Sequence, residues 1–368
     1  MLSALAGAAC APAPLLPYRP DQAPTVSLPV AQAGVVDARA GFAALFQQEV
    51  KLKGSGAAPA AVDPERWLHR VPAAGDDTVA RLRAMNASFA GRAATTSVLI
   101  VPGMFGDCVD AQSVPFGDGL PRTRELGAVD SYRQYDDLGL RSVKAVPLGG
   151  RASSADNGRR LAQAIRAEAG RADVERIVVI AYSKGVPDTQ VALAQMIADG
   201  GLPPKLVALV SVSGTVMGTP IADRYESLYQ LLSPHLQPLD CTASDGRDIA
   251  DLTRRERVAW LAANAPPPDL QYYSIVGHVP HDRVAPGLQA FQAQLSAVDP
   301  RNDGQMLAGD AVLPRSTLLA EVAADHWDVA LPLDRHPNAL VRGLTSGSGF
   351  PRETLFRATV KWVIGSAP

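Results

Sequence analysis

The stretch VIAYSKGV (179–186) decides the fold, because it joins a strand to a helix around a serine. The run RIVVIAY (176–182) is apolar without alternation, which predicts a strand buried on both faces. DTQVALAQMIADG (188–200) then has the apolar spacing of a helix. A strand covered on both faces and followed directly by a helix is typical of a parallel sheet.

The same alternation of short apolar strands with helices continues along the chain, which predicts an α/β fold. We therefore expect a mostly parallel central sheet with helices on both faces. Further strands are predicted at TSVLIVPG (96–103), RSVKAVPL (141–148), KLVALVSVSG (205–214), QYYSIVG (271–277) and STLLAEVA (316–323), and further helices at 157–170 and 352–365.

The domain boundaries follow from breaks in this pattern. Residues 1–35 are predicted as a signal remnant and linker, and residues 36–368 as one domain that begins with a helical extension at 36–95. Residues 215–268 interrupt the alternation with two or three helices, which predicts an insertion that covers the sheet as a lid. The alternative is ordinary crossover packing.

Composition excludes several classes of protein. The chain has 368 residues, of which 47% are hydrophobic and 20% charged, as in a globular protein. A net charge of -2 with no long basic block argues against a nucleic-acid partner. No apolar run approaches the roughly 20 residues that span a bilayer.

The three cysteines bear on cellular location. Gly7-Ala8-Ala9-Cys10 resembles an imperfect lipobox, although the basic segment of a secretory signal is missing. We expect a cell-envelope protein, periplasmic or attached to a membrane through lipidated Cys10; the alternative is a cytoplasmic protein with a disordered terminus. In an oxidising envelope, Cys108 and Cys241 would be free to form a disulfide.

Ser183 has the sequence context of a nucleophile. It stands between Ala181 and Gly185, and a nucleophile elbow needs small residues two before and two after the serine, where the strained turn presses against them. In that geometry the backbone N–H of Lys184 donates to an oxyanion. The alternative is a serine that caps the start of the helix.

A second oxyanion donor is expected in VLIVPGMFGDC (98–108). This segment ends a strand with Pro-Gly, and its glycines let the backbone approach a substrate closely. The Met104 N–H is the candidate donor and the Phe105 N–H the alternate. The alternative is a glycine-rich turn without chemistry.

The general base and its acid should follow later strands, in the order serine, acid, histidine. His326 follows the last predicted strand and is the candidate base, with His336 as the backup. The acid is expected between residues 278 and 326, where Asp303 lies in a turn and Asp310 is its rival. Asp282, Asp299 and Asp325 are weaker choices. The His278-x-x-His281 spacing lacks helical support, so no metal is expected.

Four segments resemble the α/β-hydrolase superfamily, and specifically its bacterial lipases and esterases. VPGMFG is similar to the HG-x-x-G oxyanion loop, with Pro102 where histidine is usual, and AYSKG is similar to G-x-S-x-G. NDGQM and ADHW resemble the segments that carry the acid and the base. The resemblance covers about residues 96–366. It implies a triad of Ser183, Asp303 and His326.

The function expected from these residues is serine-dependent hydrolysis of a carboxylic ester through an acyl-enzyme. The substrate would be a small-molecule or lipid ester, and no cofactor is required. A thioesterase or an acyltransferase on the same triad is the first alternative. A non-catalytic envelope binding protein that keeps the hydrolase fold is the alternative from another class.

Overall fold

The computed structural model describes residues 25–27, 32–53, 66–69, 71, 75, 77–107, 114–119, 128–232, 244 and 246–366. Their strands are β1 Thr25–Ser27, β2 Gln32–Gly34, β3 Val36–Asp37, β4 Thr96–Val101, β5 Ser142–Ala145, β6 Arg176–Tyr182, β7 Leu206–Val212, β8 Gln271–Gly277 and β9 Thr317–Val322. Seven of these strands form one parallel sheet in the order β3-β9-β8-β7-β6-β4-β5, as the strand–helix alternation predicts.

Helices cover both faces of the sheet. They are α1 Arg39–Lys53, α2 Thr78–Arg92, α3 Ser154–Ala169, α4 Gly185–Ala198, α5 Pro220–Leu232, α6 Arg247–Ala250, α7 Arg254–Ala263, α8 Gln289–Ser296, α9 Ala339–Gly343 and α10 Arg352–Ser366. None of the helices among the described residues is long and apolar enough to cross a bilayer.

Two apolar layers hold the helices to the sheet, since successive side chains of a strand point to opposite faces. Val98 and Ile180 pack with α1 and α10 side chains such as Phe46 and Phe356. Their strand neighbours on the other face pack with α3 and α4; this second layer includes Leu99, Val179, Leu161, Ile165, Leu193 and Met196. Each fully buried side chain of this size contributes about 1.5–3 kcal/mol, so the layers fix the strand ends that carry the polar residues.

The N-terminal region takes part in the sheet, which the sequence did not predict. β3 adds to the edge of the sheet by parallel pairing with β9, at Val36 with Thr317 and Asp37 with Leu318. Just before it, β1 and β2 pair with each other antiparallel, inside the segment predicted as a linker. Two- and three-residue strands carry too weak a periodicity to be recognised from sequence.

The segment between β7 and β8 contains α5, α6 and α7. It touches the body of the protein where Tyr225 Oη donates to Gln294 Oε1 (3.0 Å) and where Thr219 Oγ1 donates to the backbone oxygen of Gln305 (2.5 Å). These contacts place the start of α5 beside the loop that follows α8. A lid role for the insertion stays a prediction.

All three cysteines lie outside the described residues, and so does His235. The predicted lipidation of Cys10 and the predicted pairing of Cys108 with Cys241 are therefore not addressed by the structure.

Candidate active site

Ser183 stands on a sharp turn between β6 and α4. Its φ is +54°, a left-handed backbone conformation that a non-glycine residue seldom adopts. The turn is tight because a Cβ added to Gly185 would lie 2.6 Å from the Pro102 oxygen and 2.7 Å from the Val101 oxygen. A larger residue at 185 would push the turn away from β4, so the small-residue requirement read from the sequence has a steric cause.

The structure brings Ser183, His326 and Asp303 into one chain of hydrogen bonds. Ser183 Oγ lies 2.9 Å from His326 Nε2, and His326 Nδ1 lies 2.8 Å from Asp303 Oδ2. The three residues follow β6, β9 and β8, and the ends of parallel strands meet at one edge of a sheet. Because the carboxylate accepts the Nδ1 proton, Nε2 presents its lone pair to the serine hydroxyl.

Asp303 is held in place by its own turn. Its Oδ1 accepts hydrogen bonds from the backbone N–H groups of Gln305 (2.9 Å) and Met306 (2.7 Å), which leaves Oδ2 for the imidazole. Gly304 has a φ of +91°, the conformation that lets the turn close. The His326 N–H also donates to the Asp303 backbone oxygen at 2.8 Å, so the two loops are joined twice.

Asp310, the rival acid, lies elsewhere. Its Oδ2 is 3.3 Å from Arg254 Nε, at the start of α7. Burial raises the pKa of Asp310 to about 7, and the nearby Arg254 guanidinium opposes that shift. Asp325 is also directed away from the imidazole, since its carboxylate accepts backbone N–H groups of Ala285, Trp327 and Asp328.

The other described histidines are not near Ser183. The His278 imidazole faces Glu321 (Nε2–Oε2 3.3 Å), and His281 faces Gln292 instead. His69 stacks on His278 with ring centroids 4.0 Å apart and is half-buried; burial and the His278 charge lower its pKa to about 4. The described residues contain no group of three or more side chains arranged to hold a metal ion.

His336, the backup base, is a half-buried residue beyond the site. Its Nδ1 accepts the backbone N–H of Asn338 at 3.1 Å. This contact closes a local turn before α9. Among the described residues, no hydrogen bond joins the His336 ring to Ser183 or Asp303.

Two backbone N–H groups are free to bind an oxyanion. Within the described part of the chain, neither the Met104 N–H nor the Lys184 N–H has a hydrogen-bond acceptor. Gly103 brings the two segments together, since a Cβ added there would lie 2.9 Å from the Ser183 Cβ. Phe105, the alternate donor, is excluded because its N–H already donates to the Gly150 oxygen at 3.0 Å.

The Lys184 side chain is directed away from Ser183, as divergence of consecutive residues predicts. Its Nζ lies 2.8 and 2.9 Å from the two carboxylate oxygens of Asp188, one helical turn later. Both side chains are almost fully buried. The Lys184 ammonium is therefore engaged in a buried ion pair, while its backbone N–H has no acceptor among the described residues.

Tyr182 is a contact of the site that the sequence did not predict. Its Oη donates to the backbone oxygen of His326 at 2.6 Å, and its ring centroid lies 5.1 Å from that of the imidazole. The contact joins residues 144 positions apart. The sequence around Tyr182, the middle residue of the A-Y-S motif, contains no local pattern that predicts this contact.

Replacing Tyr182 with phenylalanine should slow turnover by about 3- to 10-fold and lower stability by about 1–3 kcal/mol. The change keeps the ring but leaves a buried carbonyl without its donor, so the His326 loop loses a constraint. The measurements are kcat and urea unfolding. Tyr272→Phe is the matched control, because its hydroxyl also donates to a backbone oxygen, that of Pro267 at 3.2 Å, away from the site. Equal loss of kcat in both variants would contradict a specific role of the Tyr182 hydroxyl in holding the His326 loop.

Comparison with known proteins gives structural relatives. No protein-family model matches the chain, and no curated protein matches it in sequence. Its structure is similar to the crystal structure of a metagenomic carboxyl esterase, with 25% sequence identity, a TM-score of 0.74, and coverage of 92% of this chain and 96% of that chain.

Two lipases share the fold at lower identity. Lipase 1 from Pelosinus fermentans has 11% identity and a TM-score of 0.50, over 74% of this chain and 99% of the lipase. A Bacillus licheniformis lipase in its propeptide form has 18% identity and a TM-score of 0.50, over 73% of this chain and 50% of that chain. The fold of this chain is thus shared with a carboxyl esterase and with lipases.

Proposed function

We propose that this member of the α/β-hydrolase superfamily, a carboxylic ester hydrolase, works through an acyl-enzyme on Ser183, with His326 as general base and Asp303 as its orienting acid. The main support is the hydrogen-bonded chain from Ser183 Oγ through His326 to Asp303, with distances of 2.9 and 2.8 Å. A serine, an imidazole and a carboxylate in this order have the geometry of nucleophilic catalysis.

Acylation begins when Ser183 Oγ attacks the carbonyl carbon of the ester and gives its proton to His326 Nε2. The carbonyl electrons move to oxygen, and the Met104 and Lys184 N–H groups stabilise the resulting oxyanion. As the carbonyl re-forms, the bond to the alkoxide breaks. The alkoxide takes the proton from Nε2 and leaves as the alcohol, so the acyl group stays on Ser183.

Deacylation repeats the sequence with water. His326 Nε2 takes a proton from water, the hydroxide oxygen attacks the acyl carbon, and the second oxyanion forms in the same place. Its collapse breaks the bond to Ser183 Oγ, which recovers its proton from Nε2, and the carboxylic acid leaves. Asp303 stays ionised throughout and stabilises the imidazolium in each step.

The proposal is tested with p-nitrophenyl esters of increasing acyl length. We expect steady hydrolysis, with a burst of p-nitrophenolate on the shorter esters where deacylation is slow, and stoichiometric labelling by a fluorophosphonate. The series also gives the acyl length that fits the site.

Two outcomes would contradict ester hydrolysis. A burst followed by turnover only when an alcohol or amine acceptor is added would identify an acyltransferase. Absence of both hydrolysis and labelling would favour a binding protein that keeps the fold without the activity.

A further inference from the structure

The side chain of Asn157, a buried residue of α3, makes three hydrogen bonds. Its side-chain oxygen accepts the Gly149 N–H (3.1 Å), and its amide nitrogen donates to the Gly149 oxygen (2.9 Å) and to Asp188 Oδ2 (2.8 Å). Asn157 is 2% exposed. One side chain thus holds both polar groups of the Gly149 backbone and joins them to a carboxylate on α4.

At one end of this hydrogen-bond network, Asp188 contacts the turn that carries Ser183. Asp188 is 1% exposed and pairs with the ammonium of Lys184, which directly follows Ser183. A buried ion pair is costly to break when one partner is removed, because the other charge stays buried. The orientation of Asp188, and through it that of Asn157, is therefore tied to the turn that carries the Lys184 N–H.

At the other end of the network, Gly150, which follows Gly149, contacts the loop that carries the Met104 N–H. Gly150 accepts a hydrogen bond from the Phe105 N–H (3.0 Å) and donates its own N–H to Asp107 Oδ1 (2.7 Å). The two backbones touch, since a Cβ added to Gly150 would lie 2.6 Å from the Gly106 nitrogen. Phe105 has a φ of +63°, a strained conformation that persists only where neighbouring groups hold it.

We propose that Asn157 is a positioning residue for the oxyanion hole, an inference that rests on the proposed ester hydrolysis. The path from Lys184 through Asp188, Asn157 and Gly149-Gly150 to the Met104–Asp107 loop fixes the two donors relative to each other. Neither donor shares an element with the other, because Lys184 directly precedes α4 and Met104 follows β4. Oxyanion donors act only within about 2.7–3.1 Å of the developing charge, so loss of the link should weaken both bonds.

The test compares esters with thionoesters that have the same p-nitrophenolate leaving group. Attack on C=S places the developing charge on sulfur, which is larger than oxygen and a weaker hydrogen-bond acceptor, so the hole contributes little to that reaction. We expect Asn157→Leu to lower kcat/KM for the ester by about 10- to 100-fold. For the thionoester we expect a loss below about 3-fold, so the selectivity for oxygen over sulfur falls.

Asn264→Leu is the matched control. It is also an asparagine-to-leucine substitution, at a half-buried residue whose amide donates to the Trp260 oxygen (2.8 Å), away from Ser183. Both rates should stay at their original values. Equal losses of ester and thionoester hydrolysis in Asn157→Leu would indicate a general structural effect and overturn the proposal, and so would unchanged selectivity.

A second pair of variants covers the case in which Asn157→Leu does not fold. Asp107 is exposed, and Asp107→Ala removes the acceptor of the Gly150 N–H, whereas Asp107→Asn keeps a side-chain oxygen there. Asp107→Ala should lower the selectivity for oxygen over sulfur, and Asp107→Asn should restore it. If the wild-type protein hydrolyses neither substrate, the proposed function fails; if it does and selectivity is constant across all variants, only this inference fails.

Discussion

Replacing Ser183 with alanine should lower kcat for ester hydrolysis by roughly 10⁴- to 10⁶-fold and abolish fluorophosphonate labelling. The hydroxyl is the atom that would form the acyl bond, and no other described hydroxyl is hydrogen-bonded to His326 Nε2. Alanine adopts the strained φ of +54° at about the same cost as serine, so the fold should be kept. The measurements are ester hydrolysis, probe labelling and thermal unfolding of the same preparations.

Ser213→Ala is the matched control for this variant. Ser213 is also buried, also has a left-handed backbone, with a φ of +45°, and directly follows the neighbouring strand β7. Its Oγ has no hydrogen-bond partner among the described residues. Labelling and hydrolysis should survive this change. If labelling persists in Ser183→Ala and disappears in Ser213→Ala, the nucleophile is Ser213 at the end of β7, and the assignment of Ser183 is wrong.

The sequence was sufficient for the parallel sheet because that signal is local. β6 and β8 lie where continuous apolar runs predict them, and the parallel sheet with helices on both faces is confirmed. The order serine, acid, histidine is also readable, since each residue follows a recognisable strand. The site residues predicted in this way, Ser183, Asp303 and His326, are the ones that the structure brings together.

The features that the sequence did not predict depend on contacts between distant segments, which a local pattern does not contain. β3 has two residues and is defined by pairing with β9, about 280 positions later. The sequence predicts the Phe105 N–H as an alternate donor, but in the folded chain this N–H donates to the Gly150 oxygen. Asn157 begins the helix predicted at 157–170, and the sequence does not distinguish it from the other polar residues of that helix. Its role depends on Gly149 and Asp188, which only the folded chain places beside it.

Replacing Asp303 with asparagine should lower kcat by about 10³- to 10⁴-fold without loss of the fold. The backbone N–H groups of Gln305 and Met306 require an oxygen at the Oδ1 position, so the new amide would direct its NH₂ group at His326. Nδ1 would then accept a hydrogen bond, and the imidazole proton would move to Nε2. An Nε2 that carries a proton cannot take one from Ser183. The measurements are kcat and the rate of fluorophosphonate labelling, which should fall together.

Asp310→Asn separates this explanation from a general effect of removing a buried carboxylate. Asp310 is 4% exposed, but it pairs with Arg254 and not with the imidazole. Because burial raises the pKa of Asp310 to about 7, this side chain is partly neutral near pH 7, and asparagine imitates its neutral form. We expect kcat to stay within about 3-fold of the wild-type value. If Asp310→Asn abolishes activity while Asp303→Asn retains it, Asp310 is the acid, and the hydrogen bond from His326 to Asp303 serves only to hold the loops together.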